Sequence, residues 1–367
     1  MWRKPYGQTG KEIGVVAFGG MRFANPEDID ANAEVVLHAY ERGINYFDTA
    51  PQYCQDKSED IVGAAVRQMK PGTFYVSTKC MASDGDELRR SLEKSLARLN
   101  VNTIDFFHIW CLVLPGQYEE RVSGGAVAAA LKAKEEGLVG HVVCSTHLPG
   151  DEVRKVLEAG PFEGVTLGYS AINFPYREDG VRAAGARGLG VVTMNPLGGG
   201  LIAQHPDRFA FIREKDDPSA VAAALRFNVS HPHVTAALVG FTTKAHVDEA
   251  VDAVAGFKPY DAAHTERLRK RILEEFNGLC TGCGYCLPCP EGIDIPRLMD
   301  AYNMRLLEGN DPKHILNRLK WHWNVPPDMA LQCVECGECE ERCTQHLPIR
   351  ERLAEIGQLA EEGKDKA

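Results

Sequence analysis

The sequence predicts an α/β protein: a (β/α)8 barrel of the TIM type followed by a small, mostly helical, cysteine-rich domain. Three observations predict it. Apolar runs end in titratable residues at nearly equal intervals: Ile44 to Phe47 leads into Asp48, Phe74 to Thr78 into Lys79, and Ile104 to Phe107 into His108. The intervals of 31 (48 to 79) and 29 (79 to 108) positions are close to the length of one strand, one helix and two loops. Eight such runs alternate with helical periodicity, the number that a closed barrel requires. Finally, eight of the 12 cysteines lie after residue 279, which marks a boundary more sharply than any linker.

Size and composition fit this division. At 367 residues the chain exceeds a barrel of about 250 residues by the size of an appendage. Hydrophobic residues at 44% and charged residues at 25% are ordinary for a globular protein. A formal net charge of −10 argues against nucleic acid and anionic membranes as partners. No apolar run reaches a membrane span, and Met1-Trp2-Arg3-Lys4-Pro5-Tyr6 lacks the apolar core of a signal peptide, so the expected location is cytoplasmic. Cysteines in that setting point to metal or redox work rather than disulfides.

In chain order, residues 7–12 read as a turn or hairpin, and Ile13 to Phe18 as the first strand, ending at Gly19-Gly20-Met21-Arg22. Asp28 to Arg42 has helical spacing and Gly43 stops it. The second, third and fourth strands are the runs named above, separated by helices from Ser58 to Met69 and from Asp84 to Leu99. A long loop after His108, through Pro115-Gly116-Gln117, precedes the alanine-rich helix Ala126 to Glu136. Strands five to eight are His141 to Cys144, Val165 to Tyr169, Val191 to Met194 and Val234 to Val239. Helices fall near Asp151 to Ala159, Asp179 to Arg187, Ser219 to Val229 and Lys244 to Val254. The barrel is expected over residues 1–256, a linker helix over 257–279, and the second domain over 280–367.

Three successive parallel strands would present Asp48, Tyr53, Lys79 and His108 on one rim, where barrel enzymes carry their chemistry. A carboxylate beside Lys79 keeps the amine charged, and the cation is expected to lower the Tyr53 pKa below its reference of roughly 10. Tyr53 could then exchange a proton near neutrality, with His108 holding a carbonyl oxygen. The constellation, with Asp48-Thr49-Ala50-Pro51-Gln52-Tyr53 and the following Ser58-Glu59, resembles the tetrad of the aldo-keto reductases. That resemblance implies carbonyl reduction, or alcohol oxidation, by hydride exchange with NAD(P)H, and a small carbonyl or alcohol substrate.

The cofactor is expected on the rim and in the second half. Gly20 and Met21 would line the pocket, and Pro196, Leu197 and Gly199 lie in a loop that resembles the family's Pro-Leu-x-x-Gly segment. Gly240, Thr242 and Thr243 open the last barrel helix, where amides and hydroxyls suit a pyrophosphate or simply cap the helix. Ser145 carries over from the family's Ser-Asn, but Thr146 stands where the asparagine is usual. Phe241 occupies the place of a basic residue, Glu249 retains its place, and Thr166 or Gly168 replaces a glutamine.

Beyond the linker come Cys280-x2-Cys283-x2-Cys286-x2-Cys289-Pro290 and Cys333-x2-Cys336-x2-Cys339-x3-Cys343. Two such runs resemble the paired [4Fe-4S] motifs of bacterial ferredoxins, in which the fourth cysteine of each run ligates the other cluster. The resemblance assigns Cys280, Cys283, Cys286 and Cys343 to one cluster and Cys333, Cys336, Cys339 and Cys289 to the other. Structural zinc is the competing reading, but it has no need of four cysteines at such intervals. Helices from Ile295 to Leu307 and Pro312 to Trp323 make this a helical ferredoxin-like domain with two [4Fe-4S] clusters. A hydride carries two electrons and a cluster one, so the clusters relay electrons to a substrate or redox partner protein, sense redox state, or stabilise the fold. An electron carrier or sensor whose barrel has lost nicotinamide-dependent activity is the alternative.

Overall fold

A computed structural model of the chain describes residues 1–364 apart from 114, 149, 276, 277, 281 and 283. The chain opens with an antiparallel hairpin, β1 (Arg3–Pro5) and β2 (Glu12–Gly14). Eight parallel strands then close a barrel: β3 (Val16–Gly19), β4 (Tyr46–Asp48), β5 (Tyr75–Cys80), β6 (Ile104–Leu112), β7 (Val139–Thr146), β8 (Gly164–Gly168), β9 (Gly190–Met194) and β10 (Ala236–Gly240). The barrel begins later than the sequence implied, because Ile13 belongs to the hairpin.

The helices of the outer ring include α1 (Ile29–Glu41), α2 (Ser58–Val66), α3 (Gly85–Leu99), α4 (Gln117–Ser123), α5 (Ala126–Glu135), α6 (Gly150–Ala159) and α7 (Glu178–Ala186). It is completed by the short α8 (Leu201–Gln204), α9 (Ala220–Ser230) and α10 (Lys244–Ala253). Polar side chains start several of them: Asp28 accepts from Ala31 N in α1, Asp84 from Glu87 N in α3, and Ser219 from Ala222 N in α9. α4 lies in what the sequence presented as an irregular loop. Its amphipathic pattern is too short to stand out, and left-handed Gly116 precedes it without a side-chain cap.

Barrel side chains alternate between the interior and the helix layer. Ala17, Tyr46, Phe106, Val143, Val192 and Ala236 fill the inside, with Tyr6 from the hairpin as the floor. Tyr6 fits because Gly164 and Gly190 have no side chain: a Cβ on the first would lie 2.3 Å from its hydroxyl oxygen, and on the second 2.1 Å from its ring.

After the barrel, α11 (Ala262–Glu275) leads to a second module built from α12 (Ile295–Leu307), α13 (Lys313–Arg318), α14 (Glu338–Glu341) and α15 (Ile349–Lys364). Its own core includes Leu298, Met299, Leu319, Leu353 and Ile356. The linker helix was expected over 257–279, of which residues 276 and 277 lie outside the described residues, as do 365–367 of the tail. Among the described residues no helix is long and apolar enough to cross a membrane.

Phe106 is fully buried, with its ring centroid 4.4 Å from Tyr6 and 5.2 Å from Tyr46. Phe106→Ala is expected to destabilise the fold by about 3–5 kcal/mol, read as a lower guanidinium midpoint of the far-ultraviolet circular dichroism. An unchanged midpoint would show that the interior aromatic layer does not hold the barrel closed.

Candidate active site

The register of the strands brings the predicted residues to one end of the barrel. Asp48 of β4 pairs with Ser77 of β5, and Lys79 of β5 pairs with His108 of β6, so inward-facing positions meet. Lys79 Nζ donates to both carboxylate oxygens of Asp48, at 2.8 and 2.7 Å, and the two side chains are almost fully buried. Ser77 Oγ donates to Asp48 Oδ1 at 2.7 Å, which leaves its lone pairs to accept from His108 Nε2 at 2.9 Å. Ser77 was not singled out from sequence, since one serine inside a strand carries no pattern.

Tyr53 lies in the loop after β4, with Lys79 Nζ 5.3 Å from its ring centroid. The loop has a shape that L-residues adopt reluctantly, with Cys54, Gln55 and Asp56 at φ of 52°, 57° and 64°. Arg98 at the end of α3 holds it by contacts to the Asp56 side chain and carbonyl and to Asp60. Ser58 Oγ also ties the loop to Gly20 O at 2.6 Å. The expected lowering of the Tyr53 pKa is not observed. Burial first, then the charges of Asp48, Cys111 and Cys54, push the phenol well above its ordinary value. The physical reason is burial, which disfavours the phenolate, together with the negative charge of Asp48 beside it.

The expected role of His108 against a carbonyl oxygen also needs correction. The imidazole is 0% exposed, below the mouth of the barrel, and its Nε2 points to Ser77. Burial and then the Lys79 charge lower its pKa to about 4, so it is neutral at physiological pH. β6 does not stop at His108 but runs to Leu112, so the next inward residue, Trp110, occupies the rim. The Trp110 ring packs edge-on against Tyr53 at 5.6 Å and, with Pro51, Gln52, Lys79 and Ser83, lines an open cavity of about 520 Å³.

For a nicotinamide, the donors nearest to a fit are on β7 and β8. Ser145 and Thr166 are register partners, both buried, and Thr166 Oγ1 has no hydrogen-bond partner among the described residues. This uncommitted hydroxyl beside Ser145 suits a carboxamide. Thr146, at the usual place of an asparagine, is committed instead to Leu112 O at 2.8 Å. Gly20 is a packing requirement, since a Cβ would lie 2.6 Å from Ser58 Oγ, whereas Met21 is exposed. Pro196 and Leu197 lead into Gly198, Gly199 and Gly200, all at positive φ, which only a glycine loop takes easily. At the end of β10, Gly240 makes room for the Arg22 side chain. The two threonine hydroxyls proposed for a pyrophosphate are engaged: Thr242 donates to Arg22 O at 3.1 Å and Thr243 caps α10 by accepting from His246 N at 3.2 Å. Phe241 is buried against Phe18, and Glu249 is exposed on α10. The loop therefore offers a phosphate the backbone amides at the amino end of α10 and the O–H of Thr243, whose oxygen only accepts in the cap.

In the second module, Cys286, Cys289, Cys333, Cys336 and Cys339 line one cavity, so the end of the first cysteine run faces the second run. Cys343 Sγ accepts from Leu347 N, and Cys280 is held through its backbone by Asn303, at 2.8 and 2.7 Å. Cys283 lies outside the described residues. The module sits against the ends of β7 and β8. Tyr285, beside Cys286, packs its ring 4.3 Å from His147, and the buried Arg177 binds His147 O, Leu148 O and Thr344 O. The described barrel cysteines, Cys54, Cys80, Cys111 and Cys144, form no disulfide, and no ligand set forms among described residues there.

Comparison with known proteins agrees with this architecture. The Aldo/keto reductase family model matches residues 15–271, and a 4Fe-4S dicluster domain model matches residues 279–348. L-galactose dehydrogenase of Arabidopsis thaliana is 26% identical over 279 residues, covering 68% of this chain and 86% of its own. An NADH-specific methylglyoxal reductase of Escherichia coli is 26% identical over 211 residues, which is 52% of this chain and 64% of its own. Among solved structures, an aldo-keto reductase of Bacillus halodurans in its holo form superposes with a TM-score of 0.65 at 20% identity, over 74% of this chain and 96% of its own. The chain belongs to the aldo/keto reductase family, and is an oxidoreductase whose barrel is followed by a 4Fe-4S dicluster domain.

His108 gives the site a pH signature. The unfolded chain takes up its proton near 6.5 and the native imidazole only near 4, so this residue makes stability rise with pH across that window. Guanidinium midpoints measured between these limits should rise with pH, and His108→Gln should flatten the slope. Equal slopes in the two proteins would remove His108 as a buried neutral base.

Proposed function

We propose that the chain interconverts a small carbonyl compound and its alcohol, with Tyr53 as the proton donor in the reducing direction. The observation that carries this is the buried Asp48–Lys79 ion pair placed beneath the Tyr53 ring at the mouth of a closed barrel. NAD(P)H, when bound, supplies the hydride. Ser145 and Thr166 would hold its carboxamide, the 196–200 loop would cover it, and the start of α10 with Gly240 would meet its phosphates. Glu249 lies further along that helix as an outer contact. Lys79 and Asp48 fix the electrostatics under the phenol, and His108 acts through Ser77 by holding Asp48 in place.

The cavity lining points to the substrate class. An aromatic wall from Trp110 beside Gln52, Ser83, Asp84 and Glu87 suits a polyhydroxylated aldehyde, which offers an apolar ring or chain face and several hydroxyl donors. The likeness to L-galactose dehydrogenase supports the same class.

For the cysteines, we assign Cys280, Cys283, Cys286 and Cys343 to a cluster next to the barrel, and Cys333, Cys336, Cys339 and Cys289 to an outer one. The cavity that joins Cys289 to Cys333, Cys336 and Cys339 without Cys343 supports this crossed arrangement, with Cys286 on its edge between the two clusters. Two [4Fe-4S] clusters supply one-electron steps when bound, and the exposed Cys336 gives a redox partner protein access to the outer one.

Nucleotide fluorescence and turnover with aldoses, on protein reconstituted without oxygen, test the reading. Tyr53→Phe should lower carbonyl reduction by about 100-fold or more while cluster absorbance stays the same. Lys79→Met, which strands Asp48 without its partner, should also lower stability, by about 3–5 kcal/mol. Unaltered turnover in Tyr53→Phe would end the assignment of the donor, and failure to bind either NADH or NADPH would favour an electron carrier.

A further inference from the structure

Arg352 on α15 is 6% exposed, and its Nη1 makes no hydrogen bond among the described residues. One face of the guanidinium lies over the Tyr302 ring at 4.6 Å. Nη2 passes so close to Gly278 that a Cβ there would come within 2.6 Å, and Gly278 has a φ of +100°, so the backbone is shaped to admit the cation. The thiols of Cys280 and Cys343 are within electrostatic reach. The Tyr302 hydroxyl and the Arg305 guanidinium take up the nearby Glu355 carboxylate, which leaves Arg352 without a carboxylate hydrogen bond among the described residues. A buried cation with an unmet N–H is strongly unfavourable unless an anion faces it. Neutral thiols do not meet that need. A [4Fe-4S] cluster held by four thiolates does, because it is anionic in both oxidation states.

We propose that Arg352 is the buried counter-ion of the cluster next to the barrel and sets its reduction potential, with Arg177 adding a second cation from the barrel side. This rests on the assignment of Cys280, Cys283, Cys286 and Cys343 to that cluster. Reduction adds one negative charge, so a nearby cation favours the reduced form, and in a low-dielectric surrounding water does little to screen it. Arg177 reaches the same place through Thr344 O, the carbonyl after Cys343. The outer site differs: Cys336 is exposed, and Glu291 and Glu338 lie in its cavity beside Arg350, which Glu340 binds. Arg352 is therefore a positioning and tuning residue of one cluster only.

The test is a dithionite titration of the full-length protein, reconstituted without oxygen and followed by electron paramagnetic resonance, for wild type, Arg352→Gln and Arg352→Lys. In Arg352→Gln one of two midpoint potentials should fall by about tenfold in the reduction equilibrium, or about 59 mV for one electron, with the other unmoved. Arg352→Lys should restore most of the shift. Loss of half the iron in Arg352→Gln, with full iron in Arg352→Lys, would support the same role, because charge and not shape then holds the cluster. Two unmoved potentials at full iron content, or equal iron loss in both variants, would overturn it. Wild-type protein without iron and labile sulfide would refute the cluster assignment itself, which separates that failure from this one.

Discussion

The site depends on a carboxylate and an ammonium held out of water inside a closed barrel. Desolvating such a pair costs several kcal/mol per ion, and their attraction offsets it only if the geometry is good and the remaining lone pairs are met. Both conditions hold here. Lys79 reaches both oxygens of Asp48, and Ser77 supplies a further donor from the neighbouring register position. The aromatic interior and the Tyr6 floor keep water from entering below. Tyr53 is held over this pair by a strained loop, which persists because Arg98 and Ser58 fix both its sides. The phenol is therefore placed by elements on either side of β4 rather than by its own strand.

The sequence made the barrel legible because its strands end in chemically distinctive residues at a constant interval. Asp48 and Lys79 could be read as partners since spacing alone put them at adjacent strand ends. What spacing could not reveal was where β6 stops. Ile104 to Phe107 is the apolar part, but hydrogen bonding with β7 continues to Leu112. That extension moves the rim from His108 to Trp110, and the period of two then places both inside the barrel at different depths. The threonines after β10 were ambiguous for a different reason: a hydroxyl suited to a phosphate is equally suited to a helix cap. Arg98 and Ser77 carry no motif at all, because their roles arise from contacts between segments distant in sequence.

The contact between barrel and module bears on electron counting. The hydride chemistry proposed for the barrel would move two electrons, and each proposed cluster one. The cysteines of the first run adjoin the barrel through Tyr285 on His147, and Cys343 adjoins it through Thr344 on Arg177. His147 is two residues past Ser145, so the seam reaches the rim on the side opposite the Asp48 strand in the closed strand order. The residues beside these cysteines share this end of the barrel with α12, where Arg208, after β9, donates to Leu306 O at 2.9 Å.

Two of the buried cations, Lys79 and Arg352, show how charge compensation divides the labour. Lys79 is paired within the protein by Asp48, and the Tyr53 proton is retained chiefly because the phenol is buried, with the nearby Asp48 charge adding to that effect. Arg352 has Glu351 within electrostatic reach but no carboxylate hydrogen bond among the described residues, and its Nη1 is left for whatever anion the cysteines hold. A compensated cation orients a neutral donor and leaves the site indifferent to added negative charge. An uncompensated one makes its site incomplete until negative charge arrives. The proposed action of the barrel on a neutral carbonyl compound and the proposed retention of an anionic group by the module thus rest on the same two physical terms, desolvation and pairing.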